Sequence, residues 1–160
     1  MLRSDTAATV VAERLPGRVA RPTLGAVSSI PAADDVLEPG EDVFDLPHVA
    51  QLLGVPVTKV HQHLRDGHLV GVRREGAVVV PKAFFDDAGQ VVKSLPGLLV
   101  LLHDGGYRDT EIVRWLFTPD PSLTIRRDGS VERQDNARPV DALHSHQARE
   151  VVRRAQAMAY

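Results

Sequence analysis

The sequence predicts a mainly α-helical protein with one small β-hairpin, continued by a small C-terminal helical module. Three observations support this fold class. Apolar residues recur at helical spacing between Asp45 and Arg65, they alternate around a turn between His68 and Pro81, and helical spacing returns after Gly89. The length of 160 residues suits one ordinary domain or two small ones.

The composition excludes several classes of protein. Hydrophobic residues make up 43% and charged residues 25%, so a packed core is expected, and with only 4% aromatics it must be built from Val, Leu and Ala. The absence of cysteine excludes disulfides, thiolate metal sites and cysteine nucleophiles. No apolar stretch nears the roughly 18 residues of a membrane helix. We therefore expect a cytoplasmic protein without membrane insertion.

Residues 1–42 have no sustained helical or strand period and contain four prolines, which predicts a mostly disordered tail that ends in an acidic linker. Charge then changes sign along the chain. Residues 31–55 hold six carboxylates and no Lys or Arg, whereas residues 56–82 hold five basic and two acidic residues. A local basic segment of this kind can contact phosphates.

Two short helices begin the first predicted domain. Asp45 is placed to cap the first helix, and Gly54 is placed to stop it. Pro56 allows a second helix to begin at once, although Val57 stands where a polar capping residue is usual. Gly67 ends this second helix.

A hairpin completes this domain, which we place at residues 43–88. Alternating apolar residues flank a turn at 73–76, and the second strand runs from 77 to 80. Pro81 then opens another short helix.

The second predicted domain, residues 89–160, is helical. Residues 95–102 are expected to form a buried helix, Asp109 to cap the next one, and residues 124–138 to form a polar loop. A last helix is expected from about His146. Its outward side chains are Arg149, Arg153 and Arg154.

The order helix, turn, helix and hairpin suits duplex DNA, because the second helix fits a major groove about 12 Å wide. Basic side chains can neutralise phosphates or donate to guanine, Gln62 can pair with adenine, and Thr58 can contact a phosphate or a thymine methyl. We therefore predict a winged helix-turn-helix. Its predicted DNA-binding residues are Thr58, Lys59, His61, Gln62, Arg65, Arg73, Arg74 and Lys82.

Motifs carry a family resemblance. The run L-P-x-V-A-x-L-L-G-V-P-x-x-x-V-x-x-x-L-R-x-G-H-L-V-x-V-R-R at 46–74, closed by V-V-V-P, resembles the winged helix-turn-helix of excisionase and MerR-type proteins. S-I-P-A-x-D-D-V-L at 29–37, H-D-G-G-Y-R-D-T-E-I at 103–112 and W-L-F-T-P-D-P-S-L at 115–123 are similar to a narrower actinobacterial (mycobacterial-type) family of DNA-binding proteins, known as substrates of a membrane Ser/Thr protein kinase. The resemblance implies double-stranded DNA and a Ser/Thr protein kinase as partners.

The same resemblance implies a phosphorylation site in the N-terminal tail. The family's P-G-R…T-L pattern points to Thr23, while Thr6 and Thr9 compete on composition alone. A phosphate adds about −1.5 to −2 charges, which would repel the DNA backbone or dock onto the hairpin arginines.

The C-terminal module admits other interpretations. W-L-x-T-P-x-P-x-L followed by R-P-V-D-A-L at 138–143 resembles the toxin-binding domain of bacterial antitoxins. The C-terminal helices could therefore bind a protein partner or self-associate. The alternative function is a protein-interaction module of antitoxin or kinase-adaptor type with no direct DNA role. The plainer interpretation is that residues 115–117 are core.

Other chemistry is not indicated. His61 and His63, like His144 and His146, do not share a helix face and have no acidic or thiol ligand beside them, so we predict no metal site. We find no catalytic constellation and no cofactor motif, and we expect a protein that is not an enzyme.

Overall fold

The structure of this chain, a computed structural model, describes residues 30–126 and 131–160. Thr23, Thr6, Thr9 and most of the predicted tail lie outside the described residues. One compact unit spans Pro31–Tyr160. Its elements, in chain order, are β1 (Ala32–Ala33), β2 (Val43–Asp45), α1 (Leu46–Leu53), α2 (Val57–Arg65), β3 (Gly71–Arg74), β4 (Ala77–Pro81), a 3-10 helix (Lys82–Phe84), α3 (Leu95–Asp104), α4 (Asp109–Phe117), β5 (Ile125–Arg126), β6 (Arg133–Gln134), α5 (Pro139–Ala142) and α6 (Ala148–Ala159).

A four-stranded sheet carries the predicted hairpin. Its strand order is β1-β3-β4-β2, with β1 parallel to β3 and the other two pairs antiparallel. The hairpin of β3 and β4 turns at Glu75 and Gly76, whose φ angles of 52° and 80° are the left-handed values that a tight two-residue turn requires. The mainly helical fold with a β wing is therefore confirmed.

The segment before β2 differs from the expectation of disorder up to residue 42. Ala33 of β1 and Leu37 are buried, with 1% and 7% of their surface exposed. Asp35 binds Arg74, and Glu41 binds Arg138. These partners are distant in sequence, so no local period could indicate that the segment is held against the rest of the fold.

The helix-turn-helix forms as predicted. The Asp45 carboxylate accepts a hydrogen bond from the backbone N–H of His48 at 2.9 Å and so caps α1. Gly54 ends α1 with a φ of 68°. Helix α2 starts after Pro56 without a side-chain cap, and Gly67 follows its end with a φ of 78°. The capping position is Pro56, which has no polar side chain, and Val57 is the first residue of the helix rather than its cap.

The C-terminal region is built from α3 to α6. Gly105, after α3, approaches α6 so closely that a Cβ there would lie 2.8 Å from the Cβ of Ala159. The Tyr107 hydroxyl donates to the carbonyl of Met158 at 3.2 Å. The end of α3 is thereby fixed against the end of α6.

Two C-terminal expectations are wrong. Asp109 is the first residue of α4 rather than its cap, since its carboxylate binds His103 Nε2 at 2.6 Å while Glu111 accepts from the Arg108 N–H at 3.0 Å. The predicted loop at 124–138 contains the hairpin of β5 and β6, paired through Ile125 and Gln134. Its strands have two residues each, too short to show a period.

The core is mainly aliphatic, as the composition predicts, and also includes the buried rings of Phe84 and Phe85. Val49, Val60 and Leu64 are buried in the helix-turn-helix, and Leu99 and Leu116 in the C-terminal region. None of the helices in the described part of the chain is long and apolar enough to cross a membrane.

Candidate nucleic-acid interface

Helix α2 exposes one polar face. Thr58, Gln62 and Arg65 follow one another at i, i+4 and i+7, so they form a single row on the surface. Lys59 lies beside this row and is also exposed. The opposite face of α2 is buried through Val60 and Leu64, which are 0% and 3% exposed and fix how the helix is presented.

The side chains of the polar row have no partner in the part of the chain that the structure describes. Among residues 30–126 and 131–160, the side chains of Thr58, Lys59, Gln62 and Arg65 make no hydrogen bond or ion pair with one another or with other groups. These donors and acceptors are thus available to an external ligand.

Arginines elsewhere show the contrast. The Arg138 guanidinium binds Asp141 at 2.8 Å and also Glu41, and these carboxylates raise its pKa. Arg154, predicted to point outward, is half-buried and binds Asp120 at 2.8 Å and Glu150 at 2.9 Å. These side chains stabilise the fold and are not free for a ligand.

The two wing arginines differ in their surroundings. Arg73 pairs in register with Val78 and is exposed. Arg74 donates to both carboxylate oxygens of Asp35, at 2.8 Å and 3.0 Å, and to the carbonyls of Glu38 and Glu41, each at 3.2 Å. The guanidinium also lowers the pKa of Asp35. Arg74 therefore holds residues 34–42, called the acidic segment below, against β3. This differs from its predicted role as a free contact at the hairpin tip.

Two further predicted residues lie apart from the row. His61 is half-buried on the flank of α2 opposite Lys59. Lys82 is exposed in the 3-10 helix, at the end of β4 away from the hairpin turn. It lines a groove together with the carboxylates of Glu41, Asp42, Asp86 and Asp87. The structure thus groups Thr58, Lys59, Gln62 and Arg65 and places Lys82 among acidic groups.

Sequence reasoning missed the acidic segment as a part of this site. Its residues position the wing: Asp35 holds Arg74 from outside the hairpin, while the backbone N–H of Asp34 donates to Thr110 Oγ1 at 3.0 Å. The sequence feature that could have indicated this contact is the excess of carboxylates in residues 31–55 beside the basic segment at 56–82. Among the described residues, no group of three or more metal-ligating side chains is placed to hold a metal ion.

Comparisons with known proteins agree with this geometry. The family described as "DNA-binding protein Rv2175c, wHTH domain" matches residues 29–85, and the one described as "Rv2175c C-terminal domain of unknown function" matches residues 92–159. The sequence is 73% identical over 146 residues to DNA-binding protein Rv2175c of Mycobacterium tuberculosis (strain ATCC 25618 / H37Rv), across 91% of this chain and 100% of that protein. The NMR structure of Rv2175c superposes with a TM-score of 0.76 at 76% identity, over 84% of this chain and 92% of that one.

Proposed function

This chain belongs to the Rv2175c family of winged helix-turn-helix proteins, and we propose that it binds double-stranded DNA through α2 and the wing. The observation that carries the proposal is the uncommitted row of Thr58, Gln62 and Arg65 beside Lys59. A helix whose polar side chains have no partner in the described fold is suited to an external polar surface. The name of the relative, a DNA-binding protein, supports the same ligand.

The side chains of this surface would have two roles in DNA binding: some would supply affinity and others sequence specificity. Lys59, Arg65 and Arg73 supply positive charge for backbone phosphates, while Gln62 presents the amide that pairs with the edge of adenine. His61 and Lys82 lie at the margins and would contact the duplex only where it bends around the module. Arg74 acts by positioning the wing. Three such cations give a log–log salt slope of about −3.

The test compares two exposed helical arginines. Arg65→Ala removes a cation from the row on α2, and Arg149→Ala removes one from α6 with the same change in charge. In fluorescence anisotropy with a labelled random duplex, we expect Arg65→Ala to weaken binding about three- to tenfold and to reduce the salt slope by about one. Arg149→Ala should bind like the parent.

Equal binding by the two variants would contradict the assignment of α2 as the contact surface. Absence of duplex binding at low salt, by a parent protein whose circular dichroism shows it folded, would contradict DNA binding itself. The alternative, a protein-interaction module, would then be tested by capture of partners on the C-terminal helices.

A second element of the proposal is control by phosphorylation. A Ser/Thr kinase would modify Thr23, and the added negative charge would oppose the phosphates of the duplex. We expect Thr23→Glu to weaken duplex binding at low salt and to recover towards parental affinity as salt screens the added charge. Thr6→Glu and Thr9→Glu are the matched controls, and a Thr23→Glu variant that binds as tightly as the parent would contradict this role.

A further inference from the structure

Two histidines lie on the flank of α2 beside the polar row. His63 follows Lys59 by one helical turn, so the two side chains share that flank. The ring of His68, in the turn after α2, has its centroid 5.9 Å from that of His63. The carbonyl of His63 accepts from the N–H groups of His68 and Leu69, at 2.9 Å and 3.3 Å, which holds the backbone of His68 close to that of His63.

The two imidazoles open into a groove of about 420 Å³. Its apolar walls include Leu53 and Val55 from the helix-turn-helix turn and Val91 and Pro96 from the segment that leads into α3. Besides the imidazoles, the polar side chain that lines it is the amide of Gln90. Of the described residues that line the groove, none is a carboxylate, so its titratable groups are the two histidines.

The charges near His63 favour an anion. Burial lowers the pKa of His63, as do His68 and Lys59, while Asp66 alone opposes them. From α3, the ring of His103 lies near Gly67, but its Nε2 is already bound to Asp109. A negative group in the groove would relieve the repulsion between the basic groups and favour protonated imidazoles.

We propose that this groove receives the sugar-phosphate backbone of the duplex bound by α2, with His63 and His68 as hydrogen-bond donors to a phosphate. The proposal rests on the proposed function. His63 lies on the same flank of α2 as Lys59, so the groove lies beside the polar row, and its apolar walls suit the apolar faces of deoxyribose. The partner is thus the same duplex, extended along the flank of α2 towards the C-terminal region.

The consequence is that DNA binding takes up protons. Burial and the neighbouring basic groups lower the pKa of His63 in the free protein, and a phosphate in the groove would favour its protonated form, so affinity rises as pH falls. The slope of log Kd against pH approaches one for each histidine that is protonated on binding. At about pH 8 the charge on His63 is lost, and the contribution of the groove is small.

The experiment measures anisotropy of a labelled random duplex at about pH 6 and about pH 8 with constant ionic strength. The parent should bind about tenfold more tightly at the lower pH. His63→Gln/His68→Gln should keep the affinity of the parent at the higher pH within about twofold and lose most of the pH dependence. His146→Gln, which removes an exposed histidine of the C-terminal region, should behave like the parent.

NMR titration of the parent gives a measurement that needs no variant. The pKa of His63 should rise when duplex is added, and the ring chemical shifts of His68 should change. Unchanged values, or a double variant that retains the full pH dependence, would overturn the phosphate role while leaving DNA binding intact. Unchanged DNA binding with loss of self-association in the double variant would also overturn it, in favour of a second copy in the groove. No binding by the parent at either pH would overturn the proposed function together with this inference.

Discussion

Arg73 and Arg74 are adjacent in β3, yet their side chains have different surroundings. The Arg74 side chain is 17% exposed and its guanidinium binds Asp35, whereas Arg73 is exposed. Because the Asp35 side chain is one-third exposed, solvent screens the pair, and we expect Arg74→Ala to lower the free energy of unfolding by only about 1 kcal/mol. Thermal denaturation should show a Tm about 2–4 °C lower. Arg73→Ala, the matched control, should leave stability within about 0.5 kcal/mol and weaken duplex binding instead.

The pH dependence of the same variant checks the cause. Arg74 lowers the pKa of Asp35 from its ordinary value of 3.8, so the pair stabilises the fold above that value. This contribution is lost as pH falls through the lowered pKa of the folded state. The difference in unfolding free energy between parent and Arg74→Ala should therefore be constant from about pH 5 to about pH 8 and shrink below about pH 4. A difference that persists in acid would contradict the ion pair as its source.

At the scale of elements, the helix-turn-helix could be predicted because local residues determine its boundaries. The Asp45 carboxylate caps α1 by accepting from the backbone N–H of His48, three residues further along the chain. Gly54 adopts the left-handed conformation that ends this helix. The wing turn at Glu75 and Gly76 is equally local. Helical spacing alone predicts that Thr58, Gln62 and Arg65 share one face of α2. This row is the central part of the candidate site.

Other elements could not be predicted, because their partners are remote in sequence. β1 has two residues and is defined by pairing with β3, and the hairpin of β5 and β6 is as short. Arg74 and Asp35 are 39 positions apart, and Arg138 and Glu41 are 97 apart. The groove beside His63 could not be predicted for the same reason. Its walls come from the helix-turn-helix and from the segment that leads into α3.

At the scale of the whole molecule, the acidic segment joins the wing to the C-terminal helices. Asp35 binds Arg74 on one side, and Glu41 binds Arg138 on the other. Arg138 also lies over the ring of Phe117 in α4, with its guanidinium carbon 5.2 Å from the ring centroid. These contacts link the two predicted domains, and we expect residues 31–160 to unfold as one cooperative unit. The boundary near residue 88 stays a prediction about sequence organisation.

Cooperativity can be tested at the Arg138–Glu41 pair, whose side chains are 25% and 15% exposed. Arg138→Met leaves Glu41 poorly solvated and without its partner, so we expect a loss of about 2 kcal/mol in unfolding free energy. With Glu41→Gln in a double-mutant cycle, the coupling free energy between the two side chains should be about 1–2 kcal/mol.

Two probes follow the unfolding of the same variants. The fluorescence of Trp115, the single tryptophan, reports from α4, and far-UV circular dichroism reports all helices. Both midpoints should fall together, because loss of the pair weakens one shared transition. A shift of the Trp115 midpoint alone would mean that the C-terminal helices unfold independently of the wing, and Arg149→Ala should move neither.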